Sequence, residues 1–308
     1  MTMTSAVATI DTNNFDVMAK AMGITADANK QSRSTLSRLR IRHSPIMGEA
    51  EVKGKKVNME VISGGQYKLD VPDGSQSKLE AGLYYAPAVN IQTFLQRFMY
   101  KRFIKSAGTT PNRFVKTVMG ESLYVDLKDN DGGFNCGKPS GWIKDFKALP
   151  VSQQNLIKEI KRTRVILGLV SFDSLVDEKG NDVEGSEEYK VPFIWEVDSR
   201  NAFKTLGETY NVFNKKKLLP ISHYINLGTE EKKFPNGSSF YQPTVVTDFT
   251  TSIPINQSDH DTFRDFMEWV NGYNEYILKE WNEKTTDLSR DDQQVVDKFH
   301  DVDEEVPF

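Results

Sequence analysis

A single cysteine, Cys136, is present in 308 residues, so no intrachain disulfide can form and the thiol content gives no sign of an oxidising compartment. No run of about eighteen apolar residues occurs, and a membrane-spanning helix is not expected. The opening residues, MTMTSAVATIDTNNF, lack the basic flank and apolar stretch of a secretory signal. The cytoplasm is therefore the expected compartment.

Catalytic signatures are missing as well. GKPSGW places a lysine before a serine but without the glycine spacing of a phosphate-cradling loop, and neither a G-x-S-x-G elbow nor an H-E-x-x-H helix is present. His43, His223, His260 and His300 are scattered, and with Cys136 they show no ligand spacing, so no metal and no cofactor is expected. Asp129 with Asp131, and Asp259 with Asp261, have the spacing of nuclease magnesium ligands. They also stand in a turn and at a helix start, where acids are favoured on structural grounds. A non-enzymatic protein is the expectation.

What is present becomes clear once the charge is divided along the chain. Residues 285–308 carry eight acids against two bases, a net −6, whereas the whole chain carries −4. The other 284 residues are thus at +2, a mildly basic body with a strongly acidic tail. Residues 81–120 hold no acid but six bases, Arg97, Lys101, Arg102, Lys105, Arg113 and Lys116, together with seven aromatics, densest in TFLQRFMYKRFIK. Cations follow a phosphate backbone and aromatic faces stack on unpaired bases, so this interleaving points to a single-strand groove.

At about 100° per residue, Phe94, Leu95, Phe98, Met99 and Phe103 share one arc, and Arg97, Lys101 and Lys105 form a separate stripe. The spacing predicts a core helix with a basic face, and Tyr100, outside the main apolar arc, is the stacking candidate. Trp142, beside Lys144 in SGWIKDFK, is a second one, with a place in the core as its alternative. A further basic segment, KQSRSTLSRLRIRH, brings Arg38, Arg40 and Arg42 as phosphate contacts on an arm expected to be mobile when free.

VNMEVISGGQYKLDV alternates apolar residues around Gly64-Gly65 and predicts a tight hairpin. ESLYVDLK, TRVILGLVSF and VPFIWEVD read as strands, and DNDGGFNCGKPSGW and DEKGNDVEGSEEYK as loops. Helical spacing marks residues 13–22, 152–161 and a long stretch from Ser258 with Phe263, Phe266, Val270, Tyr273, Ile277 and Trp281. The expected fold is mainly β (α+β), an elaborated oligonucleotide-binding (OB) type β-barrel with a long C-terminal helix. The expected organisation is an N-terminal arm with a short helix and the basic segment at 1–43, a core at 44–284, and a flexible acidic tail at 285–308.

The chain closes on DVDEEVPF. Asp301, Asp303, Glu304, Glu305, Val306, Pro307 and Phe308 resemble the C-terminal tip of bacterial and phage single-stranded DNA-binding proteins, with valine where the bacterial form usually has isoleucine and without the long Gly, Pro and Gln-rich linker common there. The resemblance implies a protein that coats single-stranded DNA in phage or bacterial replication, recombination and repair, in the host cytoplasm if phage-encoded. Its tip would dock on a polymerase, helicase or primase, or recombinase. Phe308 would fill an apolar pocket and the acids would lie along a basic ridge. SRSTLSRLR loosely resembles the basic segment some phage members use for self-association. A strand-annealing or recombination-mediator protein, and a scaffolding protein with a solubilising acidic tail, are the alternatives. Stacking alone leaves DNA and RNA undistinguished.

Overall fold

The computed structural model describes residues 36–52, 55–75, 77–105 and 111–286, all within one unit that starts at Leu36. Its spine is a pair of long antiparallel strands, β6 (Val89–Ile104) and β8 (Ile160–Ser171). Both are dense in β-branched and aromatic residues, which suit a pleated surface packed on both sides. Residues 93–104 therefore form a strand where the spacing predicted a helix. The cause is legible in the burial: the centre of β6 is covered on both faces, so the period of two that marks a half-exposed strand is erased.

The remaining strands are β1 (Ser37–Ile41), β2 (Ile46–Val52), β3 (Lys55–Ile62), β4 (Tyr67–Val71), β5 (Gly82–Ala86), β7 (Arg113–Lys116), β9 (Val176–Asp177), β10 (Val191–Val197), β11 (Ile225–Lys233) and β12 (Ser239–Thr247). Three α-helices accompany them: α1 (Val151–Glu159), α2 (Arg200–Lys216) and α3 (Gln257–Thr286). Ten strands join one sheet in the order β12-β11-β6-β8-β10-β1-β4-β5-β9, with β7 added to the outer part of β6, and β2-β3 form a separate ribbon. Thus the protein is mainly β with a long C-terminal helix. The sheet curls until the Tyr67 hydroxyl of β4 donates to the Gly228 carbonyl of β11 at 3.0 Å and the Thr229 hydroxyl donates to the Gly65 carbonyl at 2.7 Å. No backbone ladder joins those strands, so the expected barrel is not closed.

Other local expectations meet different outcomes. Strands at 163–172 and 191–198 and helices at 152–161 and from 258 are found as β8, β10, α1 and α3. The two strands flanking Gly64-Gly65 form but do not pair with each other: β3 pairs with β2, and β4 with β1 and β5. Gly65, at φ 85°, turns the chain from the ribbon into the sheet, and a Cβ there would stand 2.4 Å from the Tyr241 ring. ESLYVDLK is irregular, with only Lys128 in an isolated bridge, because Leu127 alone of its apolar residues is buried. Part of the supposed mobile arm is β1, parallel to β10 and antiparallel to β4. Among the elements not foreseen are α2, despite Phe203, Leu206, Tyr210 and Phe213 at spacings of three and four, the β11-β12 hairpin turned at Asn236-Gly237, and the strands β2, β5, β7 and β9. The residue 13–22 helix and the acidic tail lie outside the described residues.

Both faces of the spine are packed. Ile166, Val170, Phe193, Trp195 and Val197 meet Ala202, Leu206 and Phe213 of α2 in one core cluster. Leu95, Met99, Val165 and Leu167 meet Phe266 and Val270 of α3 in another. The aromatic stripe of α3 is thus partly core, as its spacing suggests, though Phe263 is exposed. Asn256 and Asp259 cap α3 reciprocally, each backbone N–H donating to the other's side chain at 2.9 and 3.1 Å, which accounts for Asp259 structurally.

The spine is also the tightest contact. A Cβ at Gly168 would stand 2.1 Å from the Gln92 carbonyl oxygen, beside the β6 irregularity at Thr93/Leu95. Backbone on both sides leaves nothing to yield, so Gly168→Ala should cost about 3 kcal/mol or more in urea unfolding. A loss below about 0.5 kcal/mol, the range of an ordinary surface substitution, would show that the ladder adjusts there.

Candidate functional site

Directly opposed residues of an antiparallel pair share a face. Phe98 opposes Arg164 and Tyr100 opposes Arg162 on one face of the spine, while Lys101 opposes Lys161 and Arg97 opposes Val165 on the other. The ladder therefore sorts neighbouring cations onto two different surfaces, and each surface carries a groove.

The larger groove, about 840 Å³, lies on the Phe98 face beside the first turn of α2. Its cations are Lys138, Lys158, Arg162, Arg164 and Arg200, against one acid, Glu121. Among the described residues none of those five forms an ion pair within 4.0 Å. Aromatic rings of Phe98, Tyr100, Tyr124, Trp142 and Phe203 complete its walls. Tyr124 and Trp142 are 91% and 83% exposed, an unusual state for such large rings. Gly141, at φ 69°, allows the turn that presents Trp142, and the Lys138 ammonium donates to the Pro139 and Gly141 carbonyls within that turn. Burial lowers the Lys138 pKa; Asp126 opposes the shift and Arg162 adds to it.

The smaller groove, about 520 Å³, lies on the other face and contains Arg38, Arg40, Lys101 and Lys116 together with Glu196 and Asp198. Lys101 sits 3.1 Å from Glu196 and 3.0 Å from Asp198, Lys116 is 3.7 Å from Glu196, and Lys161 is 3.4 Å from Asp198. Its cations are largely matched by acids. Phe114 lines it, its ring tilted at 47° to that of Phe103 with centroids 4.8 Å apart, and both rings are exposed.

The residues singled out from sequence are accordingly dispersed. Arg40 pairs with Asp70 at 3.1 Å, Arg97 approaches Glu121 at 3.9 Å and the Met267 sulfur at 3.5 Å, and Arg102 pairs with Glu159 at 3.1 Å. Arg113 donates to Asp131, which also accepts from Lys284, so Asp131 serves as an ion-pair hub. Arg38, Lys105 and Lys144 are exposed and Arg42 is half-buried. Tyr100 is only 2% exposed, its hydroxyl donating to the Leu123 carbonyl, so its ring forms groove floor and offers no free stacking face. Trp142 is in the groove and outside the core. Sequence reasoning missed Arg162, Arg164, Lys138, Lys158, Arg200 and Tyr124. The signal for two of them was R-T-R leading into an apolar strand, an i, i+2 pair on one face. Residues 301–308 lie outside the described residues.

Asp129 accepts from the backbone N–H groups of Asp131, Gly133 and Cys136, which fixes the 129–136 loop. Among the described residues no group of three or more His, Cys, Asp and Glu side chains is placed to hold a metal, and no helix is long and apolar enough to cross a membrane. No protein-family model, curated protein or solved structure matches the chain.

Two outcomes follow from this geometry. Trp195 is 4% exposed and Trp269 and Trp281 are part-buried, so Trp142→Phe should remove most of the quencher-accessible emission in an acrylamide titration. Unchanged accessibility would place Trp142 in the core. In the smaller groove, burial raises the Glu196 and Asp198 pKa values, but Lys116 and Lys101 outweigh it at Glu196, and Lys101 and Lys161 at Asp198. Both carboxyls end below their ordinary 4.5 and 3.8. Depressed folded values stabilise above the unfolded pKa and lose that contribution as pH falls through the folded value. Lys101→Met should cost about 2 kcal/mol at neutral pH and flatten the loss of stability on acidification below about 4.5. An unchanged acid limb in chemical denaturation would rule out the network as its source.

Proposed function

We propose that this protein is a non-enzymatic single-stranded nucleic-acid-binding protein whose strand runs through the larger groove. The observation that carries this is the coincidence, in one groove, of five cations that form no ion pair among the described residues and two large exposed rings, Trp142 and Tyr124. Free cations neutralise phosphates and release their counterions, and exposed rings stack on bases that a duplex keeps paired. The N-terminus of α2, with Arg200 in its first turn, adds backbone N–H groups at the same wall.

The curled, open sheet is read in this proposal as an elaborated OB-type barrel, whose gap is spanned by the Tyr67 and Thr229 hydroxyl contacts. The resemblance of residues 301–308 to the tip of phage and bacterial single-stranded DNA-binding proteins supports a place in DNA replication, recombination and repair. The tip would recruit polymerase, helicase or primase, or recombinase partners in the cytoplasm. Arg38, exposed at the smaller groove, together with the Phe103-Phe114 pair, would contact strand that leaves the main groove.

Titrating Trp142 emission with oligo(dT) and with duplex of the same length tests the proposal. Four to five phosphate contacts at ~0.7 each give a slope near −3 in log affinity against log salt, or about a hundredfold loss between roughly 50 and 200 mM. The double variant Arg162→Gln/Arg200→Gln should weaken binding at least about tenfold, whereas Arg102→Gln and Arg113→Gln, whose cations are already paired, should change it less than about threefold. Absence of binding, or equal affinity for duplex, would defeat the proposal; the reverse ranking of variants would move the strand out of the groove toward the Arg102 and Arg113 end of β6 and β7.

A further inference from the structure

Arg164 is the least expected residue in the larger groove. It is 7% exposed, yet no carboxylate lies within 4.0 Å among the described residues, although Arg40, Arg97, Arg102 and Arg113 of the same sheet all have one. One terminal nitrogen donates to the Gln96 side-chain oxygen at 2.6 Å and the other reaches the Phe203 carbonyl only at 3.5 Å. Nε is buried without any hydrogen-bond partner. The guanidinium is boxed by the rings of Phe203, Phe98 and Tyr210 at 4.6, 5.0 and 5.6 Å, and burial lowers its pKa.

A guanidinium carries five donors and keeps its charge at any ordinary pH, so burying it among rings with two acceptors leaves it short of both charge and hydrogen bonds. The fold nevertheless reserves space for it. Gly207 of α2 faces the guanidinium, and a Cβ there would stand 2.7 Å from its terminal nitrogen. An apolar side chain of similar length would fill this position at no electrostatic cost. The missing component is an anion that enters through the groove.

We propose that Arg164 receives a phosphate oxyanion at the groove floor, making the site complete only when a phosphate is bound. The proposal rests on the groove being a single-strand site, with the strand's own phosphodiester as the preferred source, and it adds a particular residue at a particular depth. The planar fork of arginine suits two oxygens of one phosphate, and Arg162, two residues along on the same strand face, is exposed to hold the next one. Because Arg164 is desolvated by three rings, its contact escapes the screening that salt imposes on Arg162 and Arg200 at the surface.

The test compares wild type with Arg164→Met and Arg164→Lys, reading thermal unfolding and binding of oligo(dT) and of inorganic tripolyphosphate at two salt concentrations. Arg164→Met should unfold without ligand at or above the wild-type temperature and bind oligo(dT) about tenfold or more weakly, the loss persisting at high salt. The loss in Arg162→Gln should shrink at high salt. Stabilisation by tripolyphosphate should disappear in Arg164→Met. Arg164→Lys, which keeps the charge without the fork, should retain part of both effects and covers the case in which the methionine variant fails to fold. Wild-type affinity for both ligands in Arg164→Met, or a drop in its ligand-free stability that alone accounts for the weaker binding, would overturn the proposal and leave Arg164 as a strut between the sheet and α2. If tripolyphosphate stabilises wild type through Arg164 while oligo(dT) does not bind, the anion site stands and the single-strand reading falls. If oligo(dT) binds both proteins alike, the reverse holds.

Discussion

The rest of the structure depends on the β6–β8 ladder. Its alternation sends Phe98 and Tyr100, with Arg164 and Arg162 opposite, to one face, and Arg97 and Lys101, with Lys161, to the other. Because a strand's side chains change face at every residue, a one-residue slip would exchange the populations of the two grooves. The register is held by what packs on each side: α2 over Ile166 and Trp195, α3 over Val165 and Met99, and at the centre Gly168 against the Gln92 carbonyl. A groove built on such a floor has little freedom to rearrange, so its charges and rings are held in fixed positions.

The two faces make opposite use of their cations. On the Lys101 face, Glu196 and Asp198 come from the end of β10 and neutralise a stretch that has no acid of its own in sequence. Those pairs are part-buried and geometrically close, and they fix β6, β7 and β10 relative to one another. On the Phe98 face, five cations share a groove lined by one acid, Glu121, and none of them forms an ion pair within 4.0 Å among the described residues. A surface that retains unneutralised charge at a concave site gives up some stability for readiness to bind an anion.

Much of the fold was legible because some elements state their period openly. β8 and β10 contain apolar runs rich in β-branched and aromatic residues, and α3 repeats its large residues at three and four over most of its 30 residues. β6 was not legible, since burial on both faces leaves a pattern that a helical wheel fits equally well. The Gly64-Gly65 turn was correctly placed, yet local pattern does not reveal that its flanking strands choose different partners, β2 on one side and β1 and β5 on the other. For the candidate site, the sequence window and the folded surface group the cations differently. An acid-free window in sequence reports only on chain neighbours, and Asp131, Glu159, Glu196 and Asp198 reach Arg113, Arg102 and Lys101 from elsewhere. Trp142 stands outside the core, 83% exposed, because the turn at Gly141 presents it on an irregular loop.

Cations without ion pairs are a better marker of a binding surface than cations without acidic neighbours in sequence. Lys101 and Arg164 illustrate this. Lys101 is at the centre of the densest basic run, but its ammonium is 14% exposed and shared between two carboxylates, so its charge is already spent within the protein. Arg164 stands in an ordinary-looking strand, yet among the described residues it meets only a glutamine, a carbonyl and three rings. An arginine in that setting carries a desolvation cost and an unpartnered Nε that a hydrophobic residue packed there would not carry. The groove that contains it also holds the exposed rings, and on the proposed single-strand reading that coincidence joins the electrostatic anomaly and the exposed aromatic surface in one site.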